Sequence, residues 1–186
     1  MMTRRGLLSA SVVAVVADGA VQAADQRSIT MRLARLGAIE RLDIQDLFAR
    51  YAWSYDCSDE PSYLDCYTDD AMVIGANPGQ VFRGKEAIGG WFRYLVALRE
   101  KEGDDWLHDA YHHRFYGDRK RCVVFSYATH FNSNQPAQRR GVRSAGYFVS
   151  ECVQQRDGWR MRRHSVNTWD RHSLPWSKPL PWAQHE

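Results

Sequence analysis

The first strong pattern in the chain is a helical stripe that ends at Asp56, within a helical stretch predicted from Ile29 to Cys57. Apolar residues recur there at spacings of three and four, which is typical of one buried helix face. The stripe consists of Ile44, Leu47, Phe48, Tyr51, Ala52 and Tyr55. Asp56 follows Phe48 and Ala52 at four-residue intervals, so its carboxylate falls on the same face. An unpaired buried carboxylate is costly, so Asp56 should either be paired or serve as an acid or base. From this helix alone, a turn cap or an arginine ion pair is the simpler interpretation.

Two further helices and a small hairpin are predicted before residue 103. A short helix is predicted over Ser62–Tyr67, and a longer amphipathic helix follows Gly84. Between them, short apolar runs at Ala71–Gly75 and Val81–Arg83 flank the turn residues Asn77-Pro78-Gly79. This spacing predicts a two-stranded hairpin.

After Gly103 the pattern changes to four long alternating runs, separated by turn or loop residues. The runs are Trp106–Tyr116, Arg121–Asn132, Val142–Gln155 and Trp159–Trp169. Helices therefore come first and an antiparallel meander comes last. This order predicts an α+β fold in which N-terminal helices pack on one face of a curved, mostly antiparallel sheet.

Composition allows one domain and does not favour nucleic acid as a partner. The chain has 186 residues, 44% of them hydrophobic and 12% aromatic, and a formal charge of +3. A core can be buried at this length, and the charge is too small for a nucleic-acid surface. The aromatic share suits either a pocket for a flat ligand or ordinary core packing.

The N-terminus is predicted to be an export signal over residues 1–23. Arg4 and Arg5 precede an apolar run too short to span a bilayer, and Val21-Gln22-Ala23 supplies small residues for cleavage. The paired arginines resemble a twin-arginine signal, and an ordinary secretory signal is the plainer alternative. The mature chain is then expected to begin near Ala24 and to work in the periplasm or outside the cell. Residues 24–170 form the predicted domain, followed by a Pro/Trp-rich tail over 171–186.

Four cysteines are present, and an oxidising compartment would permit disulfides. Cys122 and Cys152 would lie opposite one another if their two runs pair as a hairpin. Cys57 and Cys66 would lie at neighbouring helix ends. Free buried thiols are an equally good expectation for all four.

Four motifs, in this order along the chain, resemble the SnoaL-like polyketide cyclase and scytalone dehydratase group of the nuclear-transport-factor-2-like superfamily. They are YAWSYD at 51–56, YTDDA at 67–71, FRGKEAI at 82–88 and RDGWRM at 156–161. The resemblance extends from about Ile39 to Trp169. It implies a cone-shaped α+β barrel with a pocket in its mouth. It also implies acid–base chemistry without a metal or organic cofactor, and relatives that are often dimers or trimers.

The resemblance assigns candidate catalytic residues. Asp56 matches the family's first-helix acid, and its partner should be a histidine early in the first long strand. Of His108, His112 and His113, the family's usual hairpin length favours His108, with His112 as the alternative. Strand alternation predicts that His108 and His112 share a face with Arg114 and that His113 lies on the opposite face. Tyr51 and Tyr55 lie one helical turn apart and could donate hydrogen bonds to a substrate oxygen.

The last predicted strand supplies further candidate site residues. His164 holds the place where the family sometimes has a cationic pocket residue, with Asn167 and Arg163 as rivals. The predicted catalytic residues are therefore Asp56, His108, Tyr51 and Tyr55, and the predicted substrate-binding residues are His112, His164, Asn167 and Arg114. No GxSxG, GxGxxG or P-loop motif occurs, and His108 and His112 lack zinc-ligand spacing on a strand.

These residues predict a cofactor-independent lyase of the dehydratase or retro-aldol kind, acting on a small hydroxylated aromatic or polycyclic molecule. An isomerase or cyclase using the same pocket is the first alternative. A non-catalytic, exported ligand-binding module is the second.

Overall fold

A computed structural model describes residues 36–134 and 136–186. The predicted export signal and the start of the predicted first helix lie outside the described residues. Within these residues, three helices precede the main strands: α1 over Ala38–Asp56, α2 over Glu60–Asp65 and α3 over Gly84–Glu102. No helix in the described ranges is long and apolar enough to cross a membrane.

Six strands in the described part of the chain form one curved sheet. They are β1 over Tyr67–Ile74, β2 over Val81–Arg83, β3 over Asp105–Gly117, β4 over Arg121–Asn134, β5 over Arg139–Gln155 and β6 over Gly158–Thr168. Their order across the sheet is β2-β1-β6-β5-β4-β3. Every neighbouring pair is antiparallel except β1 and β6, which run parallel. The predicted α+β architecture is confirmed.

Turn chemistry sets where several elements end. Asp59 caps α2 by accepting a hydrogen bond from the backbone N–H of Ser62 at 3.2 Å. Gly103 ends α3 in the left-handed conformation, with φ at 65°, which is favourable for a residue without Cβ. Gly117 closes the β3–β4 hairpin with φ at 136°.

The sheet has a hydrophobic cluster on each face. The inner cluster joins α1, α2 and α3 to the strands, and its fully buried members include Ile44, Leu47 and Met161. The outer cluster lies under the C-terminal tail, where Leu180 and Trp182 pack against Val123 and neighbouring residues. The helices therefore occupy the inner face of the sheet, where the candidate site residues are found.

The cysteines are free thiols. Cys122 and Cys152 lie directly opposite one another on β4 and β5, as the hairpin pattern predicts, and both are fully buried. Cys57 is exposed at the end of α1, and Cys66 is buried after α2.

Candidate functional site

Asp56 and His108 form the best-defined polar contact on the inner face. The Asp56 Oδ1 atom lies 2.6 Å from His108 Nδ1, and Asp56 Oδ2 accepts the His108 backbone N–H at 2.9 Å. The two side chains are only 11% and 14% exposed. Because an ionised carboxylate can only accept hydrogen bonds, His108 Nδ1 carries the hydrogen, and Nε2 is left for another partner.

Arg99 of α3 fixes the end of α1. Its guanidinium is buried and donates to the Asp56 carbonyl oxygen at 2.9 Å and to the Ser58 hydroxyl. The arginine therefore binds the backbone of Asp56, while the carboxylate binds His108. The arginine ion pair that the sequence allowed for the Asp56 carboxylate is thus replaced by a pair with histidine.

The pair adjoins a cavity of about 490 Å³ between the helices and the sheet. His108, Tyr51 and Tyr55 line it. Much of the remaining wall is apolar, formed by Trp91, Leu95, Leu98, Trp106, Phe148 and Val166. The hollow is thus large enough for a small ring system and offers few charged groups to a ligand.

Tyr51 and Tyr55 are buried donors in this cavity. Burial is the main cause that raises the pKa of both phenols well above the ordinary value, and neighbouring Tyr63 raises them further. The Tyr55 ring meets the His108 ring edge-on, with centroids 4.4 Å apart. Both phenols therefore stay protonated at neutral pH and can donate hydrogen bonds, but they are poor bases.

His130 on β4 is a site residue that was not among those predicted. It pairs with His108 across the β3–β4 ladder, and the two imidazoles stack with centroids 4.3 Å apart. Burial, helped by the nearby His108 and Arg143, lowers the pKa of His130 to about 3. Its Nε2 is buried and has no hydrogen-bond partner in the described part of the chain. A neutral, polar imidazole therefore lies directly against the acid–base pair.

The predicted common face of His108 and His112 is wrong. A β-bulge lies between Tyr111 and Arg114, and His112 occupies it with φ at 53°. The extra residue reverses the alternation that follows it. His112 and Arg114 consequently lie on the outer face, whereas His113, which was predicted to face away, contacts Phe48 on the inner face.

The outer face has a hollow of its own, with a volume of about 510 Å³, beneath the C-terminal tail. His112 lies there beside Tyr127, and the Arg114 guanidinium stacks over Trp176 at 4.0 Å from the ring centroid. The predicted substrate-binding roles of His112 and Arg114 at the Asp56 site do not fit these positions, because the sheet separates the two hollows.

The two β6 candidates also differ from one another. His164 is fully buried behind Tyr51, where its Nδ1 lies 2.8 Å from the Ser150 hydroxyl. Burial lowers its pKa to about 3, so it is neutral rather than cationic. Asn167 lines the cavity, and its amide nitrogen donates to the carbonyl oxygens of Tyr147 and Ser165.

Comparison with known proteins identifies the family. Residues 38–165 match the SnoaL-like domain. The chain belongs to the SnoaL-like family. That family includes cofactor-independent polyketide cyclases and dehydratases, and its fold binds small hydrophobic molecules. No curated protein matches the sequence.

Solved structures resemble the SnoaL-like domain at low sequence identity and show the fold alone. An NTF2-like protein with a cystatin-like fold from Novosphingobium aromaticivorans has a TM-score of 0.63 at 17% identity, covering 72% of this chain and 84% of its own. A Nostoc punctiforme protein of unknown function with a cystatin-like fold gives 0.59 at 22%, covering 75% and 97%. ActVI-ORFA from Streptomyces coelicolor gives 0.60 at 11%, covering 68% and 94%.

The donor groups of the site are a carboxylate, an imidazole and two phenols. Within residues 36–134 and 136–186, no group of three or more histidine, cysteine, aspartate or glutamate side chains could hold a metal ion. The arrangement around Asp56 and His108 is suited to moving protons: a carboxylate fixes one imidazole nitrogen, and phenols lie nearby as donors.

Proposed function

We propose that this SnoaL-like protein is a lyase that removes water, or cleaves a carbon–carbon bond beside a hydroxyl, in a small hydroxylated aromatic substrate. The observation that supports this most directly is the 2.6 Å contact between Asp56 and His108 at the wall of the cavity. A carboxylate that orients an imidazole is a common acid–base device.

His108 Nε2 is the proposed base. In the dehydration, Nε2 takes a proton from a substrate carbon, the electron pair forms the new double bond, and the adjacent carbon–oxygen bond breaks. The imidazolium then gives the proton to the departing hydroxyl, which leaves as water. Because the proton taken from carbon leaves with the hydroxyl, the enzyme gains and loses no net proton. Asp56 stabilises the intermediate imidazolium through its 2.6 Å contact with Nδ1.

In the retro-aldol variant, the same nitrogen takes the hydroxyl proton. The carbonyl forms as the carbon–carbon bond breaks, and the proton returns to the carbon that carried the electron pair. Tyr51 and Tyr55 would donate hydrogen bonds to the oxygen on which negative charge develops. The neutral His130, stacked on His108, would supply a polar surface without adding a competing charge.

The shape of the cavity supports the substrate class. Aromatic side chains such as Trp91, Trp106 and Phe148 form its walls, and a planar ring can pack against them. Its volume of about 490 Å³ lies within the range typical of small-molecule sites. The cavity is open to a ligand. A cone filled with side chains would instead have favoured a non-catalytic role.

Turnover by the Asp56→Asn variant tests the proposal. The purified protein would be screened against hydroxylated aromatics with detection by mass spectrometry. Asparagine keeps the shape of Asp56 but cannot stabilise the imidazolium, so turnover should fall by at least about 100-fold, as expected for lost acid–base catalysis. Asp43→Asn, an exposed change on the same helix, is the matched control and should keep full activity.

The product mass separates the alternatives. A lyase product lacks water or a small carbonyl compound, whereas an isomerase product has the substrate's mass. Full activity in Asp56→Asn, with a circular dichroism spectrum like that of the parent, would remove Asp56 from the mechanism.

A further inference from the structure

Arg143 reaches the cavity because β5 contains a bulge. Phe131 pairs with Val142 and His130 pairs with Ser144, so Arg143 is an extra residue without a partner on β4. Bulges redirect a side chain that regular alternation would place elsewhere. The Arg143 side chain accordingly lies among the residues that line the cavity, and its exposed fraction is 32%.

Two contacts hold the guanidinium in place. It lies over the Trp106 ring, 4.5 Å from the centroid, and it forms a two-bond ion pair with Glu102 at the end of α3. One of these bonds, from Nη2 to Glu102 Oε1, measures 2.9 Å. Arginine has five N–H donors, so the pair with Glu102 leaves donors available for a ligand.

The cavity is lined by one positive side chain and by no negative one among the described residues. Among the described residues that line it, Arg143 is the only one with a permanent charge, and no carboxylate is present. Asp56 lies behind His108 and opens instead on a separate cleft that Arg99 and Asp104 also line. Glu102 does not line the cavity, but its carboxylate offsets part of the Arg143 charge and would compete with a ligand for the guanidinium.

We propose that Arg143 binds a carboxylate carried by the substrate, which makes the natural substrate class hydroxylated aromatic acids. The inference rests on the proposed function, since it names the substrate of the same cavity. A carboxylate beside Arg143 would form charge-assisted hydrogen bonds in a partly dry site, while the ring packs against Trp106 and the other aromatic walls. This arrangement would orient the rest of the molecule toward His108.

Binding of a matched pair of probes tests the proposal without requiring turnover. Isothermal titration calorimetry would compare 2-naphthoate with the neutral 2-naphthamide at low ionic strength. The parent protein should bind the acid at least about tenfold more tightly, as expected for a charged hydrogen-bonding partner. Arg143→Gln should abolish that preference and leave amide binding nearly unchanged, which would also show that the cavity is still folded.

Two further variants check that the preference for the acid arises at Arg143. Glu102→Gln removes the competing carboxylate, so 2-naphthoate should bind more tightly. Arg114→Gln is the matched control, because Arg114 also stacks on a tryptophan but lies in the outer hollow. It should leave the affinity for 2-naphthoate unchanged.

Three results would overturn the assignment: equal affinity of the parent for acid and amide, a preference that survives Arg143→Gln, or no binding of either probe up to its solubility limit. Failure of the proposed function would look different. In that case Arg143 would still control the binding of 2-naphthoate, while Asp56→Asn would remain fully active toward the substrates that the parent converts.

Discussion

Replacing His164 with phenylalanine should flatten the pH dependence of stability on the acid side of neutrality. His164 is fully buried, and its surroundings are the rings of Phe148 and Tyr51 and the hydroxyl of Ser150. Burial lowers its pKa to about 3 in the folded protein, whereas an unfolded chain should titrate near 6.5. Between these values the unfolded state binds a proton that the folded state does not.

The sign and size follow from this difference. The folded pKa is depressed, so the neutral histidine favours folding above pH 6.5, and stability is lost as the pH falls from about 6.5 toward 3. Each pH unit in that window costs about 1.4 kcal/mol, so His164 should remove about 2 kcal/mol between pH 7 and pH 5. His130, whose pKa is also lowered to about 3, should add a loss of the same sign.

Urea unfolding at pH 7 and pH 5, at constant ionic strength, measures the effect. His164→Phe should lose about 2 kcal/mol less than the parent between the two pH values, even if its stability at pH 7 is lower. The exposed His172, changed to Asn, is the control and should leave the pH dependence as it is in the parent. Equal pH dependence in the parent and in His164→Phe would refute the argument that burial keeps this imidazole neutral.

Two other substitutions test the backbone. Gly117→Ala should destabilise the fold by about 2 kcal/mol or more, because φ is 136° there and a Cβ would come within 2.2 Å of the Arg121 carbonyl oxygen. Thermal unfolding would measure it against Gly90→Ala, an exposed helical position that should gain about 0.5–1 kcal/mol. An unchanged free energy of unfolding in Gly117→Ala would contradict the turn geometry. His112→Gly should not lower the free energy of unfolding, because glycine adopts φ of 53° without strain, and 2-naphthoate should bind as in the parent. Weaker binding would place His112 at the cavity after all.

The helical half of the site follows from sequence alone, since one periodicity persists through the whole of α1. The spacing of Phe48, Ala52 and Asp56 put the carboxylate on the buried face, and the structure places it there, in contact with His108. Tyr51 and Tyr55 follow from the same period, and both line the cavity. In an uninterrupted helix the spacing of side chains is constant, so the face on which each side chain lies can be predicted from its position in the sequence.

The strand half could be predicted only up to the first irregularity. Alternation places His108 correctly but fails at His112, because nothing in the local residue pattern marks the bulge. His130 depends on pairing between β3 and β4. Counting outward from the turn at Gly117-Asp118 would have brought it within one residue of His108, which is a signal the sequence did contain. Arg143 depends on a second bulge and had no such signal.

The two bulges together decide which arginines lie on the inner face of the sheet. If β3 alternated regularly through residue 112, Arg114 would turn inward, and Phe115, now buried in the inner cluster, would turn to the outer face beneath the C-terminal tail. The inner face of the sheet would then gain a second arginine and lose an apolar core residue. If β5 alternated regularly, Arg143 would pair with a residue on β4, and its guanidinium would not lie over the Trp106 ring. A single arginine in an otherwise uncharged hollow is therefore a consequence of strand register, and register is also what sets the charge of the ligand this domain can accept.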